Sequence, residues 1–205
     1  MMTLFYSPGS CSLASHIALA EAGADYELAR TDTAAGEQRR PEYLMINPKG
    51  RVPALVTDQG VLTETPAILT YIAQTFPAAK LAPADPWAFA QMQAFNSYLC
   101  STVHVAHAHK HRGYRWATEQ SSFADMTAKV ASNEIDCFRL IEAELLKGPW
   151  VMGEMFTVAD PYLYTIAGWL EGDGVDIGQF PKVEAHWQRV GERPAVRKVL
   201  AETAA

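Results

Sequence analysis

The chain has 205 residues, of which 49% are hydrophobic and 20% charged, enough apolar material for a packed core and too little charge for a disordered chain. A formal net charge of −6, with Asp and Glu spread along the sequence, excludes broad binding to nucleic acid or anionic membranes. Three widely spaced cysteines, Cys11, Cys100 and Cys137, make neither a disulfide framework nor a Cys-x-x-Cys zinc pair, so reduced thiols and a cytoplasmic setting are expected. Neither a secretory signal nor a membrane span is expected, since no basic segment precedes a long apolar run.

In chain order, Thr3 to Tyr6 reads as a strand and Leu13 to Ala22 as a helix stopped by Gly23. Tyr26 to Arg30 alternates polar and apolar residues as a second strand does, and Glu37 to Met45 suits a short helix. Val52 to Thr57 reads as a strand, Asp58-Gln59-Gly60 as a turn, and Val61 to Thr63 as the returning strand of a hairpin. Ile68 to Phe76 suits a helix ended by Pro77. Residues 79–86 are punctuated by Pro83 and Pro86 and read as a linker. Beyond it the strand pattern disappears. Trp87 to Arg112 suits one helix, about 39 Å long at 1.5 Å per residue. Further helices are expected at Ser121 to Lys147, Val158 to Leu170, Pro181 to Glu192 and Ala195 to Thr203. The fold class is therefore a small α/β unit (residues 1–78) followed by an all-α unit (residues 87–205), with a cleft between them as the natural ligand site.

Four local patterns carry chemistry. Ser7-Pro8-Gly9-Ser10-Cys11-Ser12 lies where the first strand gives way to the first helix, with Ser12 able to cap. A cysteine at a helix N-terminus is either activated as a thiolate by the free N–H groups and the dipole, or is a small buried side chain packing the turn. Gly50-Arg51-Val52-Pro53 offers a Val52-Pro53 bond that, if cis, turns the Val52 N–H and C=O outward to pair with an extended peptide; otherwise it is an ordinary strand start. In Thr63-Glu64-Thr65-Pro66, Thr65 suits an N-cap and Pro66 the first helical position. Free N–H groups there can bind a carboxylate, and Glu64 can bind an ammonium, so an amino acid end fits both. Thr157 and Asp160 have capping-box spacing and read as a folding element. His104, His107 and His111 share one helical face, but without a Cys or an intervening Glu no metal site is expected; with His109 they read mostly as solvated side chains near a helix C-terminus.

Together the motifs Ser7-Pro8-Gly9-Ser10-Cys11-Ser12-Leu13, Asn47-Pro48-Lys49-Gly50-Arg51-Val52-Pro53, Leu62-Thr63-Glu64-Thr65-Pro66-Ala67-Ile68 and Phe156-Thr157-Val158-Ala159-Asp160 resemble the glutathione transferases, specifically the bacterial beta class. The resemblance covers essentially the whole chain. It implies a thioredoxin-like N-terminal domain, an all-α C-terminal domain and a homodimer, with glutathione as co-substrate and a small hydrophobic electrophile as partner. By resemblance Val52 and a cis Pro53 pair with the cysteinyl backbone of glutathione, Glu64 and Thr65 hold its γ-glutamyl end, Cys11 faces its sulfur, His104 is the histidine of the long helix, and Ser97 and Ser101 meet glutathione from that helix. The class often has a lysine in the loop after the second strand. Here Thr33-Ala34-Ala35-Gly36 has none, leaving Arg39 or Lys49 to substitute. Ser97 stands where an asparagine is common, and Val105 where a lysine is common. Tyr6 is read as sheet packing.

The expected activity is conjugation of the glutathione thiolate, held by N–H groups near Cys11 and a donor from Ser10 or His104, to an electrophile in an apolar cleft near Tyr114, Trp116 or Trp169. The alternatives are a thiol–disulfide oxidoreductase or reductive dehalogenase using Cys11, and a non-catalytic scaffold of the same fold.

Overall fold

The computed structural model describes residues 1–204 and places a four-stranded sheet against helices, followed by a helical bundle. Strands β1 (Met2–Tyr6), β2 (Tyr26–Arg30), β3 (Ala54–Thr57) and β4 (Gly60–Thr63) are ordered β2-β1-β3-β4. β1 pairs parallel with β2 and antiparallel with β3, and β3–β4 is the expected hairpin, with Thr57 opposite Gly60. Helix α1 (Ser12–Glu21) links β1 to β2, and α3 (Thr65–Thr75) follows β4. Their faces carrying Ala14, Ile17, Ile68, Leu69 and Ile72 are buried, which is why these short helices hold their place beside the sheet.

The region between β2 and β3 departs from the expected single helix. It splits into a 3-10 turn, Glu37–Arg39, and the short helix α2 (Pro41–Leu44). Arg40 is extended (ψ 148°), because the residue before a proline is pushed out of the helical region. The third strand begins at Ala54 rather than Val52, since the Val52-Pro53 bond is cis and lies outside the ladder.

The bundle comprises α4 (Pro86–Tyr98), α5 (His104–Arg112), α6 (Gln120–Leu140), α7 (Ala159–Ala167), α8 (Pro181–Gly191) and α9 (Pro194–Ala204). The expected long helix is present but carries a π segment, Leu99–Val103, between α4 and α5. A second π segment, Ile141–Leu145, ends α6. Such wide turns shift the helical phase, and the first one sits immediately before His104. One apolar cluster runs through both halves, joining Leu4, Ile68 and Leu69 to Met92, Leu99 and Tyr162, so the two halves share a core. Among the described residues, no helix is long and apolar enough to cross a membrane.

Candidate functional site

The cleft between the halves has a volume of about 440 Å³. Its sheet-side wall is the β1–α1 turn, the loop before β3 and the start of α3. Its helical wall is α5 with the turn that follows it. Of the residues expected at the site, Ser10, Cys11, Val52, Pro53, Glu64, Thr65 and His104 all line it. Ser97 and Ser101 do not: both are exposed, and Ser101 Oγ donates back to the Ser97 carbonyl at 2.8 Å. The π turn explains the discrepancy, since it is Cys100 and His104 that face the cleft.

The β1–α1 turn is tied internally. The Ser7 N–H donates to Ser12 Oγ (3.2 Å), Ser10 Oγ donates to the Ser7 carbonyl (2.8 Å), and Ser10 and Ser12 hydroxyls lie 2.7 Å apart. Ser12 thus sits inside α1 instead of capping it, and Cys11 takes the N-cap position without a side-chain cap bond. In this arrangement the Ser10 hydroxyl donates within the turn, to the Ser7 carbonyl. The bundle holds the same turn from outside, through Trp169 Nε1 donating to the Gly9 carbonyl at 3.0 Å.

Cys11 is buried, and its Sγ lies 3.6 Å from the Val52 carbonyl, to which it donates. Burial pushes the thiol pKa above its ordinary value, against smaller opposing effects from the Thr65 hydroxyl and the charge on Arg112. Of the two readings of Cys11, the structure favours the buried one: desolvation outweighs the helix N-terminus, and the thiol is a neutral S–H donor.

The loop carrying Val52 is pinned from behind. Tyr43 Oη and Asn47 Nδ2 both donate to the Arg51 carbonyl, at 2.7 and 2.6 Å. Gly50 (φ +60°) is needed there, because a Cβ would meet the Gln38 carbonyl oxygen at 3.1 Å. At α3 the residue in the N-cap position is Glu64, not Thr65. Glu64 has φ +73°, a conformation that costs a non-glycine residue about 1–3 kcal/mol. No side chain caps the first turn. The Glu64 carboxylate is half exposed and accepts from Lys49 Nζ at 2.7 Å. Lys49 therefore serves Glu64, and Arg39 donates to Tyr114 Oη at 2.7 Å, so neither proposed substitute for the loop lysine is free.

The histidines are more engaged than their sequence position suggests. His104 lines the cleft with its ring edge-on to Trp169 (5.0 Å), and burial, with the charges of Arg112, His107, Arg51 and Arg115, pushes its pKa down to about 3. It is neutral at physiological pH. His107 stacks on Trp169 (4.4 Å) and its Nδ1 lies 2.6 Å from Asp173 Oδ2, a buried carboxylate that also pairs with Lys110. His109 packs on Trp116. His111 lines the cleft. Tyr114, Trp116 and Trp169 line it too, as expected, but the cleft is not apolar. Arg51, Arg112 and Arg115 also face it, and sequence reading missed all three. An arginine at a helix end is ordinary in sequence, and only the fold shows that these three converge.

The Thr157–Asp160 pair forms as expected, and it starts a buried helix. Asp160 Oδ1 accepts from the Val151 N–H (2.7 Å) and lies 2.9 Å from His186 Nε2. Its Oδ2 accepts from the Thr157 N–H (2.6 Å) and hydroxyl (3.2 Å). The group lies away from the cleft.

Residues 1–74 match the family description "Glutathione S-transferase, N-terminal domain", and residues 113–194 match "Glutathione S-transferase, C-terminal domain". The chain is 32% identical to glutathione S-transferase GstA of Escherichia coli O157:H7, over 98% of each chain. It superposes on a Sulfitobacter glutathione transferase homologue solved with bound glutathione, with a TM-score of 0.97, 49% identity and 98% of each chain covered. It also superposes on a bacterial beta class glutathione S-transferase of Sphingomonas chungbukensis, with a TM-score of 0.86, 34% identity and 98% coverage of each.

Proposed function

The chain belongs to the glutathione S-transferase family, and on that premise we propose that it joins the sulfur of glutathione to small electrophiles with an apolar body, as a beta-class homodimer acting in the cytoplasm. The class is supported by Cys11 on the β1–α1 turn and by the Sphingomonas likeness. A dimer is supported by the exposure of Trp87 and Met45, large apolar side chains that a second copy would cover. The three cysteines are free, as in a reducing compartment. Residues 1–78 would hold glutathione and residues 87–205 would supply the electrophile wall.

In this reading the γ-glutamyl carboxylate meets the uncapped N–H groups of α3 at Thr65, and its ammonium meets Glu64. The cysteinyl backbone pairs with Val52 and Pro53. The single observation that carries the chemistry is the state of Cys11: a buried, neutral thiol aimed at the Val52 carbonyl. Once the ligand's cysteinyl N–H takes that carbonyl, the Cys11 S–H is released to donate to the ligand sulfur. A neutral donor stabilises a thiolate, whereas the attack that forms a mixed disulfide needs Cys11 itself ionised. Conjugation is thereby favoured over thiol–disulfide exchange. Lowering the glutathione thiol by two pKa units corresponds to about 2.7 kcal/mol, within reach of two or three charge-assisted hydrogen bonds. Cys11 and neutral His104 are the available donors, with the charge of Arg112 acting at longer range. The thiolate sulfur then attacks the electrophilic carbon, a carbon–sulfur bond forms, the leaving group departs with its electron pair, and the thiol proton passes to solvent.

Ultraviolet difference titration of bound glutathione tests this reading. The thiolate band is expected to appear well below the pH at which free glutathione ionises, and to move back upward in Cys11→Ala. An unshifted titration in the unaltered protein would contradict it. So would a stable glutathione adduct on Cys11 formed as fast as conjugation proceeds.

A further inference from the structure

Resting on the transferase reading of this cleft, we propose that its electrophile carries a carboxylate, which Arg112 and Arg115 hold while the apolar part lies against Trp116 and Trp169. The starting point is a charge reversal. The chain carries −6 overall, yet three guanidinium groups line one cleft. Glu64 is the one carboxylate among the cleft-lining residues, and Lys49 already holds it at 2.7 Å. Among the described residues, none of Arg51, Arg112 and Arg115 forms an ion pair. Cations gathered without counterions repel one another. Arg115 shows it although its side chain reaches solvent: partial desolvation lowers its pKa, and the charges of Arg51 and Arg112 lower it further, against its hydrogen bond to Tyr114.

Glutathione accounts for only part of this charge. It carries two carboxylates, one ammonium and, once ionised, the thiolate, which the neutral donors Cys11 and His104 meet. The γ-glutamyl end is met at Glu64 and the start of α3, on the sheet-side wall. The glycine carboxylate then needs one cation, and Arg51 is adjacent to Val52 in the same loop. Arg112 and Arg115 remain, on the opposite wall, where the electrophile lies. They stand three residues apart, with Arg112 closing α5 and Arg115 ending the turn Gly113–Arg115. That turn is packed down onto α6: Gly113 is buried, and a Cβ there would meet Phe123 Cδ1 at 3.1 Å. Two like charges fixed at this spacing are unfavourable alone. They form a favourable clamp once a carboxylate accepts from both forks. The conjugation step is unchanged, since the carboxylate takes no part in bond making or breaking.

Binding of finished conjugates tests this without requiring turnover, and it removes the thiolate that Arg112 also faces. Two S-aryl glutathiones would be titrated calorimetrically, one bearing a nitrobenzoate ring and the other its methyl ester. The unaltered protein is expected to bind the carboxylate at least about tenfold more tightly, a preference that shrinks in high salt. In the double variant Arg112→Gln, Arg115→Gln the carboxylate-to-ester ratio is expected to fall to about one. If the unaltered protein binds both conjugates equally, the proposal is overturned while the transferase reading stands; that comparison needs no variant to fold. A ratio that survives in the double variant overturns it equally. If neither conjugate nor glutathione itself binds, the transferase reading fails and takes the proposal with it.

Discussion

The starts of α3 and α7 are two solutions to the same problem, and they differ in who satisfies the helix. At α7 the Thr157 hydroxyl oxygen accepts from the first-turn Ala159 N–H, while the Asp160 carboxylate ties the preceding Val151 and Thr157 N–H groups to the helix, and Asp160, Thr157 and His186 are all fully buried. At α3 no side chain caps the first turn, Glu64 sits at φ +73°, and its carboxylate faces solvent and Lys49. A closed helix start stabilises the fold. An open, strained one is left incomplete for a ligand to finish.

This contrast predicts opposite responses. Asp160→Ala should cost the most stability, several kcal/mol, because it strands buried N–H donors at about 1–3 kcal/mol each; urea unfolding measures it. Glutathione affinity of whatever folded protein remains should be unchanged, because Asp160 does not line the cleft. Glu64→Gly should weaken glutathione binding by about tenfold through loss of one charge-assisted contact, yet hold or raise stability by up to about 1 kcal/mol as the positive φ becomes comfortable. If both substitutions lowered stability alike, the distinction between closed and open starts would collapse.

Two buried titratable groups sharpen the comparison further. Burial, with Asp173 nearby, raises the Glu134 pKa to about 8, against about 4.3 in an unfolded chain. The folded protein therefore holds the extra proton between these values, and stability should fall as pH rises from about 5 to 8, by up to about 1.4 kcal/mol per unit. Glu134→Gln should flatten that slope in pH-dependent unfolding. The smallest expected signal belongs to His104, with its folded pKa lowered to about 3. Its imidazole NMR resonances should not titrate between about pH 5 and 8, the range in which an ordinary histidine changes charge. Its neutral state favours folding above pH 6.5 or so, and that contribution is lost as acid is added toward about 3.

Much of this was legible in the sequence because the signals were local. Pro8-Gly9, Thr65-Pro66 and Thr157 to Asp160 mark three helix starts whatever surrounds them, and the alternation in Tyr26 to Arg30 marks a strand. What the sequence hid depends on distance and phase. In sequence Cys11 stands open between an activated and a buried thiol, because its helix terminus is visible there whereas the burial that raises its pKa depends on the fold. Ser97 and Ser101 looked well placed on an unbroken helix, but with the π turn at Leu99–Val103 it is Cys100 that joins the expected His104 in the cleft. Arg51, Arg112 and Arg115 meet only because the fold brings the loop before β3 and the end of α5 to one cleft, a tertiary fact with no motif.

The account turns on where a bound tripeptide places its sulfur. A crystal structure with glutathione is expected to show the γ-glutamyl group on the first turn of α3 and the sulfur within hydrogen-bonding reach, about 4 Å or less, of Cys11 Sγ. Glutathione found with its sulfur directed away from the β1–α1 turn, or a cleft left vacant at saturating ligand, would contradict it.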